Sequence, residues 1–218
     1  MSKLVIIRHG LTEWTKRFTG WTDIDLAAEG IEMTKKYAAK LKKENINFDY
    51  AYASVLKRSY KTLEIVLDVI GQKNLKIIKD WHLNERHYGD LQGKEKPEIV
   101  KIYGEQQVNL WRRSFDIAPP GGESLKDTYN RVIPYFKSEI EPKLFAGKNV
   151  ILSGHSNSIR ALVKYLDNLT NEEIIKVNIP YCIPLIYEYE NKKIIKHYYL
   201  ASDEEVQKII DQIKNQTK

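Results

Sequence analysis

The segment Lys3-Leu4-Val5-Ile6-Ile7-Arg8-His9-Gly10 sets the architecture of this chain. Its apolar part has the length of one strand without a polar interruption, which is typical of a strand that is buried on both faces. The strand ends at a guanidinium, an imidazole and a glycine, and the glycine allows the backbone to turn sharply and to approach a ligand closely. The sequence therefore predicts a buried first strand with reactive side chains at its carboxyl end.

Strands and helices alternate along the rest of the chain. Apolar residues at helical spacing predict helices over residues 28–43, 55–70, 124–140, 158–166 and 203–214, and a shorter helix over 96–103 within an irregular segment, 81–120. Apolar runs predict further strands over residues 50–54, 75–78 and 149–153, and a hairpin of strands 183–189 and 193–199 around Asn191. This order predicts an α/β fold, a three-layer α/β/α sandwich with a mostly parallel but mixed sheet. We expect a single domain over residues 1–218, with a polar C-terminal tail at about 212–218.

The composition narrows the classes of partner. The 218 residues carry 35 Lys and Arg against 29 Asp and Glu, but the lysines are scattered along predicted helical faces, which indicates a solvated surface and not a nucleic-acid interface. No apolar run approaches the ~20 residues of a membrane span, so we expect no membrane partner. Cys182 is the only cysteine, which excludes an intramolecular disulfide and favours a reducing, cytoplasmic location. The sequence lacks the spacings of metal-ligating residues, so we expect no metal.

Three chemically active segments follow predicted strands: residues 8–10, 54–58 and 154–155. Ligands of parallel α/β sheets bind beyond the carboxyl ends of the strands, so these segments are expected to meet. A neutral imidazole such as His9 is a nucleophile toward phosphorus, and the neighbouring Arg8 binds phosphoryl oxygens. His155, expected to be cationic, would stabilise the charge of a transferring phosphoryl group. Taken singly, each histidine has a structural alternative, a local hydrogen bond for His9 and a buried core position for His155.

Further charged residues complete the candidate site. Arg58 follows the second strand, where it is either an anion contact or a surface arginine. Glu85 is the carboxylate best placed to donate and accept a proton, although its spacing leaves salt bridges with its neighbours open. The pair Arg112-Arg113 suits a substrate that carries carboxylate and phosphate groups, and its alternative is a solvated basic pair.

Longer motifs resemble the histidine phosphatase superfamily and, within it, the cofactor-dependent phosphoglycerate mutases. Arg8-His9-Gly10 matches the superfamily signature, which mutases and phosphatases share. The mutase-like segments are residues 17–26, 54–58, 83–93, 111–113 and 160–167. The resemblance covers nearly the whole chain.

The resemblance implies a role for each matching residue. His9 would carry the phosphoryl group, Glu85 would donate and accept the proton, and Arg8, Arg58 and His155 would surround the phosphoryl group in transit. The implied substrate-binding residues are Thr12, Thr15, Thr19, Gly20, Arg86, Tyr88, Lys96, Arg112, Arg113, Ser156 and Asn157. The implied reaction interconverts 3-phosphoglycerate and 2-phosphoglycerate, is primed by 2,3-bisphosphoglycerate and needs no metal. A phosphomonoesterase of the same superfamily and a non-catalytic phosphate-binding protein are the alternatives.

The chain departs from the family pattern in three places. Thr15 stands where the family usually has Asn, and Ser156 stands where it often has Gly. Residues 118–124 replace a longer insertion that many mutases have. A shorter loop opens the site to water and removes dimer contacts, so both a homodimer and a monomer are expected as possible states.

Overall fold

One mixed six-stranded sheet forms the centre of the molecule. The computed structural model describes the backbone of residues 1–215 and the side chains of residues 1–213. The strands are β1 (Ser2–Arg8), β2 (Tyr50–Ala53), β3 (Ile77–Lys79), β4 (Val150–Gly154), β5 (Leu185–Glu190) and β6 (Lys193–Tyr199). Their order across the sheet is β3-β2-β4-β1-β5-β6, with β3, β2, β4 and β1 parallel and the β5–β6 hairpin antiparallel. The predicted mixed α/β sheet is confirmed.

Helices connect these strands. They are α1 (Ala28–Lys43), α2 (Lys57–Val69), α3 (Lys96–Tyr103), α4 (Glu105–Arg113), α5 (Leu125–Tyr135), α6 (Glu141–Phe145), α7 (Ser156–Leu166), α8 (Asn171–Ile174) and α9 (Asp203–Asn215). The bounds of α1 and α3 are those predicted, whereas the sequence did not predict α4, α6 and α8. The helix predicted over 124–140 is divided, because α5 contains Pro134 and passes into a π-helical turn over Phe136–Ile140 before α6. Proline lacks the N–H that continues the ladder of helical hydrogen bonds, so a change of helical geometry near it is expected.

Strand β1 separates the two halves of the hydrophobic core. Leu4 and Ile6 face the core that α5 and α7 cover, and Val5 and Ile7 face the core that α1 and α2 cover. All four side chains are at most 1% exposed. Alternate residues of a strand point to opposite faces of the sheet, so the continuous apolar run is explained by burial on both sides.

The last helix, α9, packs against the side of α1. Ile209 is buried in a cluster with Tyr37 of α1 and Ile183. Residues 212–215 belong to this helix, so the first part of the tail expected at 212–218 is helical, and residues 216–218 lie outside the described part of the chain. Within the described residues, no helix combines the length and the apolar character that crossing a membrane requires.

The three parallel strands β1, β2 and β4 end at the same edge of the sheet. Arg8 pairs with Gly154 and Ala53 pairs with Ser153 in the strand register. Just beyond β1, the His9 N–H donates to the Gly154 carbonyl oxygen at 3.0 Å. The fold therefore brings His9 and His155, 146 positions apart in the chain, to adjacent points of one edge.

The loop after β1 lies directly against α1 at Gly30. A Cβ atom on Gly30 would lie 2.2 Å from the Leu11 carbonyl oxygen, and one on Gly10 would lie 2.7 Å from the Gly30 carbonyl oxygen. Thr34 reinforces this contact, because its hydroxyl donates to the Gly30 carbonyl oxygen at 2.7 Å. Helix α1 thus supports the loop that follows His9, and the two backbones lie so close at this contact that only glycine fits between them.

We predict that Gly30→Ala destabilises the protein by about 1–3 kcal/mol, since the new methyl group overlaps backbone atoms. Helix propensity alone predicts the opposite sign, a gain of about 1 kcal/mol for replacing Gly inside a helix. Urea unfolding followed by circular dichroism measures the difference, with Lys42→Ala on the exposed side of α1 as the control that stays within about 0.5 kcal/mol. A more stable Gly30→Ala protein would show that the close approach is not required.

Candidate active site

A cavity opens at the edge where β1, β2 and β4 end. Of the site residues predicted from the sequence, those in its wall are Arg8, His9, Thr12, Thr15, Thr19, Gly20, Arg58, Glu85, Tyr88, Lys96, Arg112, Arg113, Ser156 and Asn157. Wall residues that were not predicted are Trp14, Arg17, Phe18, Arg160, Asn178, Ile179, Tyr181 and Ile213. The two predicted residues outside the wall, Arg86 and His155, are fully buried. The fold therefore gathers residues from most of the chain around one cavity.

His9 is held in the form that a nucleophile needs. Its Nδ1 lies 2.7 Å from the Gly10 carbonyl oxygen. Because a carbonyl oxygen can only accept a hydrogen bond, Nδ1 carries the hydrogen and Nε2 keeps its lone pair. Burial lowers the pKa of His9 well below its usual value, and the nearby charges of Arg58 and Arg8 lower it further. The imidazole is neutral at physiological pH, so Nε2 can attack an electrophile without first losing a proton.

His155 lies beside His9, with ring centroids 5.0 Å apart. Its Nε2 is 2.7 Å from the Ser54 hydroxyl oxygen, and its buried Nδ1 has no hydrogen-bond partner among the described atoms. The expectation of a cationic His155 is corrected, because burial, Arg58 and His9 lower the pKa of His155 well below its usual value. When the Ser54 hydroxyl donates to Nε2 of the neutral ring, the proton of His155 is on Nδ1.

Arg8 and Arg58 are oriented by carbonyl groups. Arg8 Nη1 donates to the Ile179 carbonyl oxygen at 2.7 Å, and Arg58 donates to the carbonyl oxygens of Thr22 and Gly20 at 2.9 and 2.7 Å. Burial lowers the pKa of Arg58 to about 10, which still leaves it charged. Neither guanidinium forms an ion pair with a described carboxylate, so both charges are available to an anionic ligand.

Glu85 is fixed at one of its two carboxylate oxygens. Its Oε1 accepts the backbone N–H of Arg86 at 2.7 Å and that of Asn157, in the first turn of α7, at 3.0 Å. Its side chain reaches the cavity wall although the residue is only 8% exposed. The second oxygen, for which the described residues offer no hydrogen bond, is in position to exchange a proton with a ligand hydroxyl.

Arg131 of α5, which the sequence did not single out, holds the loop that carries Glu85. Its guanidinium donates to the backbone carbonyl oxygens of His82, Asn84 and Glu85 at 2.6, 3.1 and 2.9 Å. A bidentate pair with Glu123, at 2.8 and 2.9 Å, fixes the guanidinium itself. The bonds to the three carbonyl oxygens connect residues 46 to 49 positions apart, so no local pattern in the sequence reveals them.

The outer wall of the cavity is strongly cationic. Lys96 begins α3, and Arg112 and Arg113 end α4, the helix that the sequence did not predict. Lys96 Nζ donates to the Thr15 carbonyl oxygen at 2.9 Å, and burial together with Arg112 and Arg8 lowers the pKa of Lys96 to about 7. Together with Arg8, these groups give the cavity wall a cluster of cations.

Two further arginines support the cavity wall: Arg86 lies behind the wall, and Arg160 is part of it. Arg86 Nη2 donates to the Tyr88 hydroxyl at 3.2 Å, so its contact with the cavity is indirect. Arg160 donates to the Asn157 side-chain oxygen at 3.0 Å and to the Ile174 carbonyl oxygen at 2.8 Å. The mutase-like segment 160–167 begins at Arg160, and that was the one signal in the sequence that could have identified it.

Comparison with known proteins places the chain in a family. The family model of the histidine phosphatase superfamily (branch 1) matches residues 4–199. The chain belongs to this superfamily. Within the superfamily, a 2,3-bisphosphoglycerate-dependent phosphoglycerate mutase of Treponema denticola is 45% identical over 244 residues, which cover 99% of each chain. The resemblance to the mutase branch is therefore confirmed, and the alignment is longer than the 218 residues of this chain because the relative carries insertions.

Solved structures show the same superfamily fold. A mycobacterial glucosyl-3-phosphoglycerate phosphatase superposes with a TM-score of 0.73 at 24% identity, covering 91% of this chain and 97% of the other. A phosphoglycerate mutase of Bacillus anthracis superposes with a TM-score of 0.71 at 21% identity, covering 100% and 97%. Mutases and phosphatases thus share this histidine phosphatase fold, so the fold alone does not separate the two activities. Among the described residues, no group of three or more His, Cys, Asp or Glu is arranged to hold a metal ion.

We predict that His9 and His155 are both neutral at pH 7 with the proton on Nδ1. Nitrogen-15 NMR of histidine-labelled protein distinguishes the two tautomers and the cation. Ser54→Ala should leave His9 unchanged but remove the fixed tautomer of His155, because the donor to Nε2 is lost. Titration of either ring between pH 6 and 7 in the unliganded protein would contradict the assignment.

Proposed function

We propose that this protein is a 2,3-bisphosphoglycerate-dependent phosphoglycerate mutase, which interconverts 3-phosphoglycerate and 2-phosphoglycerate in glycolysis and gluconeogenesis. The observation that carries the proposal is one cavity whose wall combines His9, Arg8 and Arg58 with a further group of cations, Lys96, Arg112 and Arg113. A bisphosphorylated carboxylic acid needs two such groups of cations, whereas a simple phosphate ester needs one. The 45% identical mutase supports the same activity.

The first half of the reaction makes phospho-His9. Nε2 of His9 attacks a phosphorus atom of 2,3-bisphosphoglycerate, and the N–P bond forms as the bond to the sugar-acid oxygen breaks. Arg8 and Arg58 bind the transferring phosphoryl oxygens, and His155 donates from Nδ1. Glu85 gives its proton to the leaving oxygen, and phosphoglycerate is the product.

The second half transfers the phosphoryl group to the other hydroxyl. Glu85 takes the proton of the attacking hydroxyl, and the phosphoryl group leaves Nε2 of His9 with its bonding pair returned to nitrogen. The bisphosphorylated intermediate formed in this step reorients in the cavity before His9 takes up the phosphoryl group carried on its other oxygen. During this reorientation Lys96, Arg112 and Arg113 hold whichever anionic groups are not at His9.

A phosphomonoesterase is the second candidate, and the short 118–124 segment favours it. This segment forms a tight turn, in which the Gly122 N–H donates to the Pro119 carbonyl oxygen at 2.9 Å. A short loop beside the cavity gives water more access to phospho-His9 than a long insertion does. Water would then replace the phosphoglycerate hydroxyl as acceptor.

The proposal includes the setting of the enzyme. We place it in the cytoplasm, where phosphoglycerates are its small-molecule ligands and 2,3-bisphosphoglycerate its primer, with no metal, nucleic acid or membrane required. A monomer and a homodimer are both compatible with a cavity built from one chain. Analytical ultracentrifugation distinguishes them.

The deciding experiment follows 3-phosphoglycerate by phosphorus-31 NMR in excess EDTA with a trace of 2,3-bisphosphoglycerate. We expect 2-phosphoglycerate to accumulate only when the bisphosphate is present. His9→Ala should abolish turnover because no phosphohistidine forms, whereas His197→Ala, at an exposed histidine of β6, should retain it. Accumulation of inorganic phosphate in place of 2-phosphoglycerate would establish the phosphatase, and turnover by His9→Ala would refute the covalent mechanism.

Lys96 is expected to make substrate binding depend on pH. Its pKa of about 7 means that Lys96 is charged below pH 7 in the free enzyme and loses its charge above it. The KM for 3-phosphoglycerate should therefore rise by up to about tenfold between pH 6.5 and 8. Lys96→Arg stays charged and should show only the smaller dependence that comes from the substrate's own phosphate. Equal slopes for the two enzymes would exclude titration of Lys96 as the cause.

A further inference from the structure

Residues 179–182 enclose Arg8 from three sides. The Ile179 carbonyl oxygen accepts from Arg8 Nη1 at 2.7 Å, and the Cys182 N–H donates to the Arg8 carbonyl oxygen at 3.0 Å. Between these two contacts, the Tyr181 ring lies against the guanidinium, with its centroid 3.6 Å from Cζ. Four consecutive residues thus hold both the backbone and the side chain of the residue next to His9.

The backbone of this segment is held in an uncommon conformation. Cys182 has a φ of +60°, in the left-handed region that a residue with a Cβ seldom adopts. The Ile183 N–H donates to the Tyr181 carbonyl oxygen at 2.7 Å, which tightens the turn. The buried Cys182 Sγ lies 3.4 Å from the Thr34 hydroxyl of α1. Surrounding contacts therefore fix the direction in which the Tyr181 ring points.

The enclosure leaves one edge of Arg8 for a ligand. Nη1 is occupied and one face of the guanidinium is covered by the Tyr181 ring, whereas the buried Nε has no partner among the described atoms. Nε and Nη2 form the edge of a guanidinium that binds two oxygens of one phosphoryl group at once. The Tyr181 ring therefore presents the bidentate edge of Arg8 to the cavity.

The Tyr181 ring also covers part of His9. The two ring centroids are 5.8 Å apart with planes at 65°, and Tyr181 is in the cavity wall while only 8% exposed. No hydrogen bond of the Tyr181 hydroxyl exists within the described residues. A ring face at this distance excludes water from one side of the imidazole.

We propose that Tyr181 is a positioning residue that determines the acceptor specificity of phospho-His9, by aligning Arg8 and by excluding water from the phosphohistidine. Without the ring, a water oxygen forms the new bond to phosphorus as the N–P bond breaks, and Glu85 accepts the proton of the water. Transfer to phosphoglycerate then competes with hydrolysis. The proposal rests on the phosphohistidine chemistry of the proposed function.

The test compares Tyr181→Ser, which removes the ring, with Tyr181→Phe, which keeps it. Each enzyme is phosphorylated with 2,3-bisphosphoglycerate, and the lifetime of phospho-His9 is measured after removal of the acceptor. The ratio of inorganic phosphate to 2-phosphoglycerate is then measured with saturating 3-phosphoglycerate. We expect Tyr181→Ser to shorten the lifetime and raise the ratio by at least about tenfold, the change expected when one positioned contact is lost, while Tyr181→Phe matches the wild type.

Tyr60→Ser is the matched control, because Tyr60 also stacks with a cation, Lys79 at 3.3 Å, but lies outside the cavity wall. It should leave both readouts unchanged.

If Tyr181→Ser does not fold, Tyr181→Leu keeps apolar volume without a flat ring over Arg8 and should raise the ratio in the same direction. Equal loss of both activities with an unchanged ratio, or a Tyr181→Phe enzyme that behaves like Tyr181→Ser, would overturn the proposal. Failure of the proposed mutase function would be visible in the wild-type enzyme itself, which would then release only inorganic phosphate.

Discussion

The parallel pairing of β1 with β4 determines where His9 and His155 lie. It sets Arg8 opposite Gly154, so that the residues following the two strands, His9 and His155, emerge side by side. A shift of one residue in a strand register exchanges the faces to which its side chains point. Such a shift is prevented here because β1 is buried on both faces, and each of its apolar residues fits a different half of the core. The geometry of the active site is therefore a consequence of packing far from it.

A second constraint is that Arg8, Arg58 and Lys96 are oriented without being neutralised by a carboxylate. Arg8, Arg58 and Lys96 each donate to backbone carbonyl oxygens, which fix the direction of a side chain but carry no net charge. Glu85 is the one carboxylate in the described cavity wall, and backbone N–H groups hold it. Carboxylate partners would fix the arginines equally well but would compete with the phosphate of a ligand. The carbonyl arrangement keeps the full positive charge for the substrate.

Much of the fold and of the site could be predicted from the sequence because both depend on local patterns. The apolar run before Arg8 and the helical spacing of 28–43 are local, and the strand-end rule then brings distant segments together. Helix α4 was not predicted because Val108 and Trp111 are its only two buried residues, and two apolar positions are too few to show the spacing of a helix. Arg131 escaped because its partners are backbone carbonyls of another segment. The charge of His155 was wrongly predicted because it depends on burial beside Arg58.

The concentration of cations in the cavity wall also bears on the lifetime of the protein. Mutual repulsion among Lys96, Arg112 and Arg113 opposes the folded state until an anion enters. A ligand at one hundred times its dissociation constant adds about 2.7 kcal/mol to the stability of the native state. Degradation in the cell acts on the opened state, whose population falls as the pool of phosphorylated metabolites rises. When nutrients are scarce the pool shrinks, and the same charges that attract the substrate hasten removal of an enzyme that has nothing to convert.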